Sequence, residues 1–233
     1  MMIVYGKNVI REAVFAKRPI HQLYIDERFK DQSFLKFLKD KDVRYTKVSK
    51  QKLNQLSKNA NHQGLVADVK AYEYVTLEPY LNQDGIKRFM ILDGIEDPHN
   101  LGAILRTAEA TNLTAIIMPK HHQVPLNATV AKVSSGAIEH VPMVLVSNIN
   151  QTIKKLKQHH IWVIGTDGQT DQTFYDIPTS QSTAIILGNE GSGIRPLVKQ
   201  NCDYLVKIPM FGKINSLNVS VAAALMMYQT LEK

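Results

Sequence analysis

The sequence predicts an α/β protein with a small N-terminal domain and a larger C-terminal domain built on a mostly parallel sheet. Residues 1–73 alternate short apolar runs with amphipathic helical ones. Residues 86–233 alternate uninterrupted apolar strands with helical stretches, the pattern of a parallel sheet covered by helices on both faces. Residues 74–85 contain Pro79 and Gly85 without core periodicity, which predicts a linker or a short connecting helix.

The elements follow in order along the chain. The small domain runs through "VYGKNVIREAV", "HQLYIDE", "SFLKFLKDK" and "GLVADVKAY". The strands expected in the larger domain are "FMILD", "AIIMP", "MVLV", "WVIGT", "AIILG" and "LVKIP". Helices are expected at "GAILRTAEAT", "INQTIKKLKQ" and "VSVAAALMMYQ". Ligands of such a sheet collect at the carboxyl ends of its strands, so chemistry is expected there.

Composition excludes several classes of protein. A chain of 233 residues with 44% hydrophobic content can bury real cores. No apolar run approaches the roughly 18 residues that a membrane span needs, and no signal segment follows "MMIVYGKN". With Cys202 as its single cysteine, the chain has no internal disulfide or Cys-rich zinc site, which fits a reducing compartment. We expect a cytoplasmic protein that needs neither a metal nor a membrane.

The positive charge is concentrated in the first third of the chain. Residues 1–75 contain 15 Lys and Arg against 8 Asp and Glu, whereas residues 76–233 contain 13 of each. The cations are densest in "KDKDVRYTKVSKQKLNQLSKNANHQG". A solvated basic face is the ordinary explanation of such a segment, but cations with few acids between them also suit a phosphate backbone. Nucleic acid is the favoured partner.

Three strand ends carry polar, turn-rich sequence. After "FMILD" comes "GIEDPHNLGAILRTAEA", where a capped helix beginning at Asn100 is the ordinary explanation. That explanation places the cation of Arg106 in the first two turns, where the helix dipole disfavours it. After "AIILG" comes "NEGSG", which has neither dinucleotide nor P-loop spacing. Its Glu190 would repel a phosphate. After "LVKIP" comes "MFGKINSLNVS", with more capping residues than one helix needs.

Together, "NLGAILRTAEA", "ILGNEGSGI" and "IPMFGKINSLNVSVAAA" resemble, in order and spacing, the three motifs of the SpoU/TrmH family of RNA ribose 2'-O-methyltransferases, within the SPOUT class. The resemblance covers residues 86–233. Residues 1–75, with "YGKNVIREA" and "NHQGLVADV", resemble the family's small substrate-binding domain, which is related to the L30e-like RNA-binding fold. The resemblance implies that the C-terminal stretch is threaded through a loop as a deep trefoil knot, a rare exception among folds.

The resemblance also implies a site. The knotted loops would hold S-adenosylmethionine, with Thr166, Gly188, Ile208, Met210 and Leu217 around it. The residues implied to act on the substrate are Asn100, Arg106, Glu190, Ser216 and Asn218. Arg106 has the role of base in the family, but a guanidinium with a pKa above about 12 is a poor proton acceptor. It could instead hold a phosphate and stabilise the developing alkoxide.

The expected partners are RNA rather than DNA, and a second copy of the chain. The two-domain layout is similar to the branch that methylates a guanosine of 23S rRNA; a tRNA guanosine is the alternative. A non-catalytic RNA-binding protein and a dinucleotide-dependent reductase are the other hypotheses, and the reductase lacks its Gly-rich turn after "FMILD". Family members dimerise through the knotted domain, and Ala222, Ala223 and Ala224 would permit close helix approach across that interface.

Overall fold

The structure, a computed structural model, describes residues 1–189, 191 and 193–231. Its strands are β1 (Met2–Tyr5), β2 (Ile20–Asp26), β3 (Thr46–Val48), β4 (Leu65–Val69), β5 (Arg88–Asp93), β6 (Ala115–Pro119), β7 (Met143–Val146), β8 (Trp162–Thr166), β9 (Thr183–Gly188) and β10 (Tyr204–Val206). Its α-helices are α1 (Lys7–Phe15), α2 (Gln32–Asp40), α3 (Lys50–Leu56), α4 (Glu78–Leu81), α5 (Pro98–Ala110), α6 (Ala128–Val133), α7 (Ile149–Gln158), α8 (Pro196–Gln200) and α9 (Val219–Gln229). Short 3-10 helices occupy Ala137–Glu139 and Phe174–Asp176.

The chain divides into two compact units. Unit 1 comprises Met1–Tyr72 together with Leu126–His140, and unit 2 comprises the remainder. The sheet of unit 1 has the order β1-β4-β2-β3, in which β4 pairs antiparallel with both neighbours and β3 is a short parallel edge strand. Buried side chains of α1 and α2, including Ile10 and Phe34, pack into the core of this unit.

The segment Leu126–His140 lies within the range expected for the larger domain, yet it packs in unit 1. The almost fully buried carboxylate of Glu139 accepts a hydrogen bond from Arg18 Nε at 2.6 Å and one from the Tyr72 hydroxyl at 3.0 Å. Gly136 brings the segment against α1, because a Cβ there would lie 2.7 Å from Glu12 Cβ. The hydrogen bonds of Glu139 with Arg18 and Tyr72 therefore hold this segment in unit 1, and local sequence patterns do not reveal them.

Unit 2 is built on a six-stranded sheet of order β10-β8-β9-β5-β6-β7 whose neighbouring strands are all parallel. The mostly parallel sheet predicted from the apolar runs is therefore confirmed. The central strand β5 is buried throughout its apolar residues. The expected strand "LVKIP" is shorter than predicted, because β10 ends at Val206 and Lys207 forms only an isolated bridge with Thr173. Threading of the following segment through a loop stays a prediction.

Residues 74–85 contain the short helix α4, one of the two outcomes expected from the sequence. Leu77 and Leu81 are buried and belong to the core cluster of unit 2. The backbone N–H of Val75 donates to the carbonyl of Met143 at 2.9 Å. The stretch is thus packed structure, and Leu77 and Leu81, four residues apart, place their side chains on the same face of its single helical turn.

Candidate functional site

A cavity of about 760 Å³ opens at the carboxyl ends of β8, β9 and β10. We call it the strand-end pocket. Its wall is formed by the ends of these strands, Asn189 and Gly193 after β9, the irregular segment between β10 and α9, and three residues of α9: Val219, Ala222 and Met226. The location agrees with the general rule that ligands of parallel sheets bind beyond the carboxyl ends of the strands.

All five residues expected to surround a cofactor line the strand-end pocket: Thr166, Gly188, Ile208, Met210 and Leu217. The Thr166 hydroxyl is already engaged, because it donates to the carbonyl oxygen of Ile186 at 3.1 Å. Met210 and Leu217 are 38% and 37% exposed, which is high for large apolar side chains at the wall of a cavity. An apolar surface of this kind indicates a ligand or partner that covers it.

Gly188 lines the pocket wall, and close backbone packing also requires glycine at this position. A Cβ on this residue would lie 2.0 Å from the backbone carbon of Gly193 and 2.3 Å from the nitrogen of Ile194. Backbone atoms cannot swing aside as a flexible side chain can, so any larger residue would displace the turn. Substitution of Gly188 therefore tests the turn and the pocket together and does not isolate ligand binding.

Asn100 and Asn218 come together from positions far apart in the sequence. The amide nitrogen of Asn218 donates to Oδ1 of Asn100 at 3.0 Å. Oδ1 of Asn218 accepts from the backbone N–H of Ser220 at 2.8 Å and from its hydroxyl at 2.6 Å. Asn218 therefore caps α9 and ties that helix to α5 at the same time. Of the polar residues at this helix start, Asn218 is therefore the cap, and Ser220 is bonded to it.

The start of α5 differs from the sequence expectation. Asp97, not Asn100, is the N-cap, and its carboxylate accepts from the backbone N–H of His99 at 2.9 Å. Pro98 occupies the first turn, where its missing N–H is not needed. Asn100 therefore lies inside the first turn, almost fully buried and facing Asn218.

For the same reason Arg106 is not in the first two turns of its helix, and the prediction that the helix dipole disfavours its cation there is wrong. Because α5 runs from Pro98 to Ala110, Arg106 lies in its C-terminal half, where the dipole no longer opposes a cation. Arg106 is exposed and forms no hydrogen bond or ion pair with any other residue that the structure describes. It lies about 9 Å along the helix axis from Asn100 and about 120° around it. It is absent from the pocket wall.

Ser216 lines the strand-end pocket and is exposed, and its hydroxyl has no hydrogen-bond partner among the described residues. Glu190, the acid expected in the turn after β9, lies outside the residues that the structure describes. Of the five residues expected to act on the substrate, the structure thus pairs Asn100 with Asn218. Ser216 precedes Asn218 by two residues and lines the strand-end pocket, whereas Arg106 does not.

The sequence analysis did not predict two ion pairs that lie near these strand ends. Lys199 Nζ lies 2.9 Å from the carboxylate of Asp167 in the pocket wall, and this hydrogen bond lowers the pKa of Asp167. Asp93, at the end of β5, is almost fully buried and is bound by Arg195 through Nε at 3.0 Å and through Nη2 at 2.8 Å. Asp93 ends an apolar strand and Asp167 directly follows one, so their positions in the sequence could have placed both acids at the predicted edge of the sheet.

Comparison with known proteins decides the family. Residues 87–228 match the SpoU rRNA Methylase family, and residues 3–75 match the domain described as RNA 2'-O ribose methyltransferase substrate binding. The chain belongs to the SpoU/TrmH family of RNA methyltransferases. This membership excludes the dinucleotide-dependent reductase considered from the sequence.

Individual relatives agree over nearly the whole chain. A Staphylococcus aureus (strain MSSA476) protein assigned to the TrmH family of tRNA/rRNA methyltransferases is 44% identical over 99% of this chain and 96% of its own length. A solved RNA 2'-O ribose methyltransferase is 26% identical with a TM-score of 0.82, covering 98% of this chain and 86% of its own. The SpoU methyltransferase AviRb from Streptomyces viridochromogenes, solved with AdoMet, has the same TM-score at 24% identity, with coverages of 98% and 88%.

In the described part of the chain, no helix is both long and apolar enough to cross a membrane. Within the same ranges, no three His, Cys, Asp or Glu side chains converge in a way that could hold a metal ion.

Proposed function

We propose that this methyltransferase transfers a methyl group from S-adenosylmethionine to the 2'-hydroxyl of a ribose, and that the ribose belongs to a guanosine of 23S rRNA. The observation that carries the proposal is the strand-end pocket, which gathers Thr166, Gly188, Ile208, Met210 and Leu217. A substrate of this kind places the working enzyme in the cytoplasm.

The strand-end pocket fits S-adenosylmethionine in size and chemistry. Its volume of about 760 Å³ lies within the range of about 300–1,000 Å³ typical of small-molecule sites. Ile208, Met210 and Leu217 offer an apolar surface for the adenine ring, and polar groups such as Gln169 and Asn189 stand in the same wall. A bound ring would cover the apolar side chains that are exposed in the free protein.

S-adenosylmethionine, when bound, would supply an electrophilic methyl group. The ribose oxygen takes this methyl group as the carbon–sulfur bond breaks, and the hydroxyl proton passes to solvent water. The chain must therefore orient the ribose and favour loss of that proton. Asn218 is well held for orientation, because its oxygen and one of its amide hydrogens are already engaged. Its second amide hydrogen remains for a substrate oxygen. The Ser216 hydroxyl can bind the substrate in the same way.

Arg106 acts in this proposal as a cation that holds the target phosphate and stabilises the developing alkoxide. A neutral guanidine acting as base would need deprotonation of a group whose pKa exceeds about 12. Its exposed position, away from the pocket wall of its own chain, suits a residue that completes the site only when a partner subunit or RNA is bound.

A homodimer through unit 2 is the second part of the proposal. The helix α9 is apolar all round, and Val221, Leu225 and Tyr228 form an exposed stripe with 48%, 38% and 58% of their surface accessible. The sequence predicted that small residues of α9 would permit close helix approach across the interface. Two of them are already used within the subunit, because Ala223 is buried in its own unit and Ala222 lines the strand-end pocket. The outward stripe is the better candidate for the interface.

Ribose mapping by mass spectrometry tests the proposed reaction. RNA from cells with and without the gene is digested, and 2'-O-methylated nucleotides are located in 23S rRNA and in tRNA. The expected result is loss of one 2'-O-methylguanosine from 23S rRNA, restored by the wild-type gene and not by Leu217→Asp. Loss from tRNA alone would assign the alternative substrate, and a methyl group lost from a base would contradict the ribose proposal.

A further inference from the structure

A second opening lies entirely within unit 1 and plays no part in the reaction described above. It is a groove of about 690 Å³ between the end of α1, the start of β2 and the loop that leads into β3. We call it the β3 groove. Its polar wall consists mainly of the side chains Lys17, Arg18, His21, Lys41, Arg44 and Tyr45. The groove is therefore cationic and lies beside a short edge strand.

The cations of the β3 groove differ in whether they already form ion pairs within the protein. Arg18 is committed to the fold, since it pairs with Glu139 and donates to the carbonyl oxygens of Lys70 and Ala71. Lys17, Lys41 and Arg44 are exposed and form no ion pair with any residue that the structure describes. Asp42 is the single acid among the described residues of the groove wall. A free positive charge therefore remains for an anionic ligand.

Exposed aromatic rings accompany these cations. Tyr45 lines the groove with 39% of its surface exposed, and its ring makes no contact with another aromatic ring of the described chain. Phe15 is 49% exposed, and Lys41 Nζ stands 5.7 Å from its ring centroid. Phe15 packs against Phe37 and lies outside the groove wall, so Tyr45 is the ring of the groove that a base could cover. Exposed aromatic side chains set among cations are the arrangement by which proteins bind single-stranded nucleic acid, with phosphates on the cations and bases on the rings.

We propose that the β3 groove binds an unpaired segment of the RNA substrate, with a base stacked on Tyr45 and the flanking phosphates at Lys17, Lys41 and Arg44. The proposal rests on the chain's action on RNA. A duplex offers phosphates but keeps its base faces inside the helix, so it cannot use Tyr45 in this way. Unit 1 would thereby direct the enzyme to a loop or bulge rather than to a paired region.

The groove also separates the cations of the basic stretch into two sets. Lys41 and Arg44 line it, whereas Lys50 and Lys52 are exposed residues in the first turn of α3, outside the groove wall. The second pair supplies a matched control, since replacing either pair by Gln removes two positive charges from unit 1.

The experiment measures binding of the full-length protein to fluorescein-labelled RNA by anisotropy, without cofactor. The probes are a single strand of about twelve nucleotides, within the span that such grooves cover, and a blunt-ended duplex of the same strand with its complement, which has no unpaired nucleotides. Tyr45→Ala is expected to weaken single-strand binding about tenfold and duplex binding less than about twofold. Tyr45→Phe, which keeps the ring, should bind the single strand as the wild type does.

Salt dependence tests the phosphate contacts. Lys41→Gln combined with Arg44→Gln should reduce the slope of log affinity against log salt for the single strand by about 1.4, since each phosphate contact contributes about 0.7. Lys50→Gln combined with Lys52→Gln should leave that slope as in the wild type. Equal slope changes in both double variants would overturn the groove as the site, and so would equal loss of single-strand and duplex binding by Tyr45→Ala.

Methyl transfer to the RNA substrate, followed in parallel, separates this proposal from the proposed function. Tyr45→Ala should raise KM for RNA about tenfold while kcat at saturating RNA is retained. A wild-type protein that methylates no RNA would refute the proposed function, while the anisotropy results would still decide the groove. A Tyr45→Ala protein with wild-type circular dichroism, melting and single-strand binding would overturn the groove proposal whatever the methylation assay gives.

Discussion

Replacing Asn218 separates the two tasks that this residue performs. Asn218→Ala removes the cap of α9, worth about 1 kcal/mol, and leaves buried Asn100 without one hydrogen-bond partner, which costs about 1–3 kcal/mol. We expect it to destabilise unit 2 by about 2–4 kcal/mol. Asn218→Asp keeps an acceptor for the backbone N–H and hydroxyl of Ser220 but loses the amide donor. It should be less destabilising than Ala by about 1 kcal/mol.

The assay is urea unfolding followed by tryptophan fluorescence. Trp162 is the chain's single tryptophan and lies in β8, so its emission reports on unit 2. The variants should shift the midpoint of the transition with little change in its slope. The double variant Asn100→Ala, Asn218→Ala should be less destabilised than the sum of the single variants, because the second substitution removes a partner that is already gone.

Two results would refute this reasoning. If Ala and Asp at position 218 lower the midpoint equally, the cap contributes nothing to the stability of α9. If the effects of Asn100→Ala and Asn218→Ala simply add, the 3.0 Å contact between the two side chains carries no coupling. The proposed role of Asn218 in substrate orientation is measured separately, as the fall in kcat of Asn218→Asp under conditions where the variant is fully folded.

Other predictions follow from other parts of unit 2. Leu217→Asp should abolish S-adenosylmethionine binding in calorimetry by placing a charge in the apolar pocket wall, whereas Leu197→Asp, at an exposed site outside that wall, should bind normally; equal affinities in both would contradict the pocket assignment. Val221→Lys with Leu225→Lys should halve the mass seen by light scattering if α9 forms the dimer interface, and an unchanged dimer would exclude that face. Burial raises the pKa of Cys202 to about 11, so its alkylation in the folded protein should stay slow at pH 8 and accelerate only toward pH 11; a rate at pH 8 equal to that in urea would contradict the burial.

The sheet of unit 2 could be predicted because its strands are continuous apolar runs, such as "FMILD" and "AIILG", that leave little choice of element. The order of the strands could not, because every strand is apolar and parallel pairing leaves no alternating pattern to set neighbours. The motif resemblance grouped five residues that line the strand-end pocket, Thr166, Gly188, Ile208, Met210 and Leu217, and their role in holding a cofactor stays a prediction. Periodicity alone indicated only which edge of the sheet to inspect.

The wrong predictions for α5 and the missed contacts have one physical cause: the residues next to each position in the sequence allow more than one structure. Both Asp97 and Asn100 are good capping residues, and choosing Asn100 moved the helix start and with it the dipole argument for Arg106. The contact between Asn100 and Asn218 joins residues 118 positions apart, which neither residue's neighbours reveal. Likewise, Glu139 looks like an ordinary surface acid until the fold brings Arg18 and Tyr72 to it.

Because the chain is synthesised from its N-terminus, the packing of Leu126–His140 in unit 1 delays the completion of that unit. The ribosome finishes Met1–Tyr72 first, but Glu139, which receives Arg18 and Tyr72, is made only after β5, α5 and β6. The 68 residues from 73 through 140 take roughly 3 to 14 seconds to add at about 5–20 residues per second. Throughout that interval Arg18 and Tyr72 lack their hydrogen-bond acceptor, so unit 1 cannot complete its fold before Glu73–Pro125, more than a third of unit 2, has been made.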